Sequence, residues 1–152
     1  MSYTIDNLTV KQFRKLLRQI ERELFMQNSD SCCNGVTLAQ CHTLLEIEDK
    51  KETVTDLSKS LGLDKSTISR TIDGLVNIGL VDRSIPQENR RISTLKLTCS
   101  GEKMCNTINE TNDDFFAKTL STLKESEVTE LIRLLQIVSS RMSELRLDET
   151  AR

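Results

Sequence analysis

The stretch from Thr53 to Gln87 limits what this chain can fold into more than any other part of it. It opens Thr53-Val-Thr-Asp-Leu-Ser-Lys-Ser-Leu-Gly-Leu-Asp64 and continues Lys65-Ser-Thr-Ile-Ser-Arg-Thr-Ile-Asp-Gly-Leu-Val-Asn-Ile-Gly79. It then runs through Leu80-Val-Asp-Arg83 into a turn at Pro86. Thr53 has the chemistry of an N-cap, with Asp56 at the capping-box position. Val54, Leu57 and Leu61 recur at helical spacing, and Gly62 supplies a C-terminal stop. Either Asp64 or Ser66 caps a second helix, which turns Ile68, Ile72, Leu75 and Val76 inward and stops at Gly79. Gly74 inside that helix costs about 1 kcal/mol relative to Ala, and close approach of another helix is one reason to keep it. A short helix, a tight turn, a second helix and a strand together make a helix-turn-helix with the start of a β-hairpin.

The remainder builds outward from this unit. Leu80–Ile85 and Arg91–Leu97 read as short strands joined by Pro86-Gln-Glu-Asn89. A first helix is expected from about Thr9 to Gln27, with Phe13, Leu16, Leu17, Ile20 and Leu24 on one stripe. Asn28 to Gly35 is turn chemistry. Thr37 and Gln40 form a capping box for a second helix reaching about Glu48, with Leu38, Cys41, Leu44 and Leu45 inward. Thr98-Cys-Ser-Gly101 starts a long helix carrying Met104, Ile108, Phe115 and Phe116, ending near Leu123. A last helix opens at Glu125 or Ser126 and carries Val128, Leu131, Ile132, Leu135, Val138, Met142 and Leu145, with Asp148 to Arg152 frayed.

The expected fold class is therefore mostly α with a small β-hairpin wing, a winged helix-turn-helix with long terminal dimerisation helices. Three segments are expected: a dimerisation helix and cysteine loop over 1–35, the winged helix-turn-helix over 36–100, and further dimerisation helices over 101–152. The terminal helices hold more apolar surface than a small wing domain can cover, which implies a homodimer.

Formal net charge is only −2, so the whole molecule is not polybasic. Basic residues gather locally, at Lys11, Arg14, Lys15, Arg18 and Arg22 and again from Lys65 to Lys96, whereas acidic residues concentrate from Glu102 onward. No apolar run is long enough for a membrane span, and the N-terminus lacks the pattern of a signal peptide. A cytoplasmic protein is expected, whose thiols stay reduced.

The chain resembles the MarR family of winged-helix repressors. The residues that carry the resemblance are Leu57-Ser-Lys-Ser-Leu-Gly-Leu63, Ser66-Thr-Ile-Ser-Arg70, Leu75-Val-Asn-Ile-Gly-Leu-Val-Asp-Arg83, Asn89-Arg-Arg91 and Leu97-Thr-Cys-Ser-Gly101. The resemblance implies a homodimer on palindromic double-stranded DNA, with an effector bound between the dimer helices and the wing domain. It departs at Asn89, where the family usually has an Asp that holds the wing arginine, here Arg91.

In a helix-turn-helix the start of the second helix faces base edges. Lys65, Ser66, Thr67, Ser69 and Arg70 lie there, with Lys65 or Arg70 as donors to guanine. Arg91 is expected in the minor groove, and Arg83, Arg90 and Lys96 on phosphates.

Cys32 and Cys33 precede the second helix and Cys41 lies one turn into it, while Cys99 and Cys105 flank the start of the fifth. They are candidates for an effector or redox site, with Cys32, Cys33 and Cys41 as a tentative set for a soft metal or metalloid. Cys41 and Cys105 also fit core positions, and His42 fits the helix surface. No cofactor is required. The alternatives are the same repressor with a small aromatic ligand and inert cysteines, or a winged helix that docks a protein. A thiol enzyme is disfavoured, because Cys-x-x-Cys, a phosphate loop and a Cys–His constellation are all missing.

Overall fold

The computed structural model describes residues 4–27, 35–85 and 92–150. The elements run α1 (Asn7–Gln27), α2 (Leu38–Glu48), α3 (Val54–Leu61), α4 (Lys65–Asn77), β1 (Val81–Ser84), β2 (Thr94–Leu97), α5 (Cys99–Leu120) and α6 (Glu125–Thr150). The described residues are mostly helical with one antiparallel hairpin, in the register Val81↔Leu97, Asp82↔Lys96, Arg83↔Leu95 and Ser84↔Thr94. The chain forms two compact units, Met1–Asn112 and Asp113–Arg152, and the division falls within α5.

The core belongs to the first unit. Leu44 and Ile47 of α2, Leu57 of α3, Ile68, Ile72 and Leu75 of α4, Val81 and Leu95 of the hairpin, and Cys105 and Ile108 of α5 are all buried. Each helix gives its inward positions at steps of three or four, the spacing that keeps side chains on one face. Two inward assignments shift. Leu38 is 42% exposed, and Thr43 takes an inner position instead. Thr43 can do so because its hydroxyl donates to the Ala39 carbonyl at 2.8 Å, so no polar group is left without a partner. Val76 stands at 36% exposure, because the inner line of α4 is Ile68, Ile72 and Leu75, and the next residue lies a further 100° around the helix.

Both expected caps form. The Thr37 hydroxyl accepts from the Gln40 amide at 3.2 Å, and the Gln40 side chain accepts from the Thr37 amide at 2.9 Å. Gly74 of α4 faces this box: a Cβ there would lie 2.9 Å from Gln40 Nε2. The glycine therefore admits α2, as close helix packing requires. Thr53 Oγ1 accepts from the Asp56 amide at 3.1 Å, and Gly62 ends α3 at φ 65°.

The hairpin is tied to the helices at both edges. The Leu95 amide donates to the Glu52 carbonyl at 2.8 Å, just before α3. The Thr98 hydroxyl donates to the Gly79 carbonyl at 2.7 Å and accepts from the Gly101 amide at 3.0 Å, while the Thr98 amide donates to the Leu80 carbonyl at 3.1 Å. One residue thus laces the end of α4, the start of β1 and the first turn of α5.

Three boundaries differ from expectation. The strands are shorter, α5 stops at Leu120, and α6 continues through Thr150 instead of fraying from Asp148. The α6 helix starts with the Glu127 carboxylate accepting from the Lys124 amide at 2.8 Å. Its first turn carries Glu125 and Glu127, the charge sign favoured at a helix N-terminus.

Gly101 has the tightest glycine environment in the fold. A Cβ there would lie 2.0 Å from the Leu80 carbonyl oxygen, which is backbone and cannot rotate away. Gly101→Ala should therefore cost about 3 kcal/mol, at the upper end of ordinary overpacking, read as a lower urea midpoint. Unchanged stability would show that α5 can move off the hairpin.

Candidate nucleic-acid interface

The turn between α3 and α4 is built from small local devices. Gly62 takes the left-handed conformation that a Cβ disfavours. The Ser58 hydroxyl then donates across the turn to the Leu63 carbonyl at 2.6 Å. Asp64, not Ser66, is the N-cap of α4. Its Oδ1 accepts from the Thr67 amide at 2.9 Å and the Ser66 hydroxyl at 2.6 Å, and its Oδ2 accepts from the Thr67 hydroxyl at 2.6 Å. The two hydroxyls and the amide hold the Asp64 carboxyl well below the usual carboxylate range, so it is ionised at any working pH.

These bonds set out the residues expected on the first turns of α4. Lys65, Ser66 and Arg70 are exposed, and Thr67 and Ser69 are half-buried. Arg70 Nε reaches back to the Ser66 carbonyl at 3.4 Å, which lays the guanidinium along the outer face. The opposite face holds Ile68, Ile72 and Leu75 at zero exposure, so the polar face can only point outward.

Arg83 sits on β1, where Nη1 lies 3.1 Å from Asp73 Oδ1 of α4. Arg83 is a residue expected on phosphate; its ion pair with Asp73 also joins the hairpin to α4. Lys96 is exposed on β2 and stands across from Asp82. At the open end, the Ser84 and Thr94 hydroxyls are 2.8 Å apart. Arg90 and Arg91, with Asn89 beside them, lie outside the described residues.

The thiols separate into distinct environments. Cys41 is 2% exposed and Cys105 fully buried, both as core side chains, whereas Cys99 is exposed at the start of α5. Cys32 and Cys33 lie outside the described residues. Among the described residues no group of three or more His, Cys, Asp or Glu side chains is placed to hold a metal. His42 is exposed on α2. Burial pushes the Cys105 thiol up to about 11, with the Glu48 and Glu102 carboxylates adding to the effect. A neutral thiol is a poor nucleophile and a poor metal ligand, which places Cys105 with the packing rather than with thiol chemistry.

This sets a pH dependence. Between pH 9 and about 11 the unfolded chain has lost the Cys105 proton while the folded chain keeps it. Stability should fall across that interval, by as much as about 2–3 kcal/mol. Urea unfolding at pH 9 and at pH 11 reads it, and Cys105→Ala should flatten the difference. Alkylation at pH 8 followed by mass spectrometry should modify Cys99 at once, and Cys41 and Cys105 only after unfolding.

Residues 36–93 match the family model described as "MarR family". The chain is 29% identical over 134 residues to the uncharacterized HTH-type transcriptional regulator YpoP of Bacillus subtilis, covering 88% of this chain and 90% of that protein. Among solved structures it is similar to a MarR family protein from Bacillus stearothermophilus, with TM-score 0.78, 24% identity and coverage of 92% of this chain and 99% of that one. It is also similar to a mutant MarR from E. coli complexed with operator DNA, with TM-score 0.71, 25% identity and coverage of 90% and 99%. The matched family and the named regulators are not enzymes, which removes the thiol-enzyme reading. Over residues 36–93 the chain is therefore similar to the MarR family, in the segment that holds the helix-turn-helix and the hairpin.

Proposed function

We propose that this chain is a homodimeric transcriptional repressor in the cytoplasm, which binds a palindromic operator and leaves it when an effector is bound. The DNA-binding part of this reading rests on the outer face of α4. Lys65 and Arg70 stand exposed on the first turns of a helix whose inner face is wholly buried, and a hairpin is braced beside it through Arg83 and Asp73. That is the arrangement that lays a helix in the major groove with a wing along the backbone. Lys65 and Arg70 are the donors for guanine, Arg90, Arg91 and Lys96 serve the flanking backbone and minor groove, and Arg83 reaches phosphate from its pairing with Asp73.

The dimer rests on exposed apolar surface. Phe13, Leu16 and Ile20 of α1 are 44%, 58% and 52% exposed, and Ile132, Leu135, Met142 and Leu145 of α6 are 48%, 52%, 56% and 47% exposed. Water does not favour such stripes, and a second copy of the chain would cover them. Two recognition helices in that dimer would meet the duplex one turn apart, roughly 34 Å.

For the effector, burial of Cys41 and Cys105 favours an organic ligand over a metal site that needs either thiol. The adjacent pair Cys32 and Cys33 keeps metalloid or oxidant sensing as the second form of the reading, with Cys99 as an exposed third thiol.

Arg70→Ala should weaken binding to the specific operator by roughly tenfold to a hundredfold, the worth of a good base contact, and leave the dimer intact. Fluorescence anisotropy and light scattering measure the two; unchanged affinity would remove Arg70 from the interface. The same titration on the gene's own upstream DNA, repeated with trivalent arsenic and with peroxide, tests the thiols. Release that reductant reverses, and that Cys32→Ser with Cys33→Ser abolishes, would establish a thiol switch. Binding indifferent to both reagents would leave the organic effector.

A further inference from the structure

The base preference of the α4 start depends on where the protons of its hydroxyl groups go. A hydroxyl has one hydrogen to donate and lone pairs to accept with. An ionised carboxylate only accepts, so each hydroxyl bonded to Asp64 must be the donor. Ser66 spends its hydrogen on Asp64 Oδ1 at 2.6 Å, and Thr67 spends its hydrogen on Oδ2 at 2.6 Å. Charge-assisted bonds of this kind are roughly twice as strong as neutral ones. What Ser66 and Thr67 can still offer outward is lone pairs.

The geometry points to Asp64 as a positioning residue that makes Ser66 and Thr67 hydrogen-bond acceptors toward DNA, and so selects adenine or cytosine on the contacted strand. In the major groove adenine N6 and cytosine N4 are donors, whereas guanine N7 and O6 and thymine O4 are acceptors. An acceptor on the protein matches the first pair and is left facing a lone pair by the second. Phosphate oxygens are acceptors too, so these hydroxyls do not anchor the backbone. The α4 start is likewise closed to phosphate, because the Thr67 amide is already taken and a negative charge occupies the place an anion would fill. Guanine reading then falls to Lys65 and Arg70, which carry donors only. The inference rests on the proposed DNA-binding reading and names its specificity.

The test is selection from a randomised duplex library with the full-length protein, comparing wild type with Asp64→Asn and with Thr67→Val. Asn keeps an oxygen for the Thr67 amide and so keeps the cap. Its amide nitrogen replaces the second carboxylate oxygen and donates to the Thr67 hydroxyl, whose own hydrogen then turns outward. Wild type should enrich adenine or cytosine at one position in each half-site. Asp64→Asn should move that position toward guanine or thymine and leave the flanks unchanged. Thr67→Val should flatten the preference there and weaken the best site by about threefold to tenfold. Identical preferences in wild type and Asp64→Asn would overturn the inference. Should Asp64→Asn not fold, Thr67→Val combined with Ser66→Ala decides, and a retained preference in that double variant overturns the inference equally. Failure of wild type to enrich any sequence would instead strike the proposed function, so the two failures are distinguishable.

Discussion

Ile68, Ile72 and Leu75 form the seam on which the first unit depends. They lie on one face of α4 and are wholly removed from water, a burial worth about 1.5–3 kcal/mol for each such side chain. Leu44 of α2, Leu57 of α3, Leu95 of the hairpin and Ile108 of α5 are buried in the same core. The seam orients α4 about its own axis. Once three residues at helical spacing are committed inward, Lys65, Ser66 and Arg70 must face out. The outer face can therefore change its chemistry freely while the inner face keeps the helix in place.

A second joint couples that helix to the rest of the unit. Thr98 bonds to Gly79 beyond α4, to Leu80 before β1 and to Gly101 in α5. Gly101 lets the α5 backbone come against the Leu80 carbonyl, where a side chain would not fit. Together with the Arg83–Asp73 pair, these contacts hold hairpin, α4 and the start of α5 as one piece.

Polar chemistry at the α4 start shows how local bonding edits a residue's role. Ser66 and Thr67 look like free hydroxyls when the sequence is read position by position. Asp64, immediately ahead of the helix, claims both hydrogens and one amide. The cysteines teach the same lesson through burial. Cys41 and Cys105, which in the sequence fit either a sensor or the core, are kept from solvent by the core, and burial leaves Cys105 protonated, whereas Cys99 is exposed.

Much of this was legible in the chain. Caps at Thr37 and Thr53, the stop at Gly62, the inward residues of α3 and α4 and the order of helices and hairpin follow from local propensity and periodicity, which act over a few residues and leave their mark in sequence. The division at Leu38 and Thr43, the exposure of Val76 and the length of α6 did not, because they depend on which neighbour covers each position. The Arg83–Asp73 pair and the contact of Gly74 with Gln40 join residues whose proximity arises only once hairpin and helices have packed. Sequence by itself determined the elements, their caps and the polar face of α4. Tertiary structure alone decided which carboxylate meets Arg83 and what stands against Gly74 and Gly101, since such contacts are properties of residues brought together from distant parts of the chain.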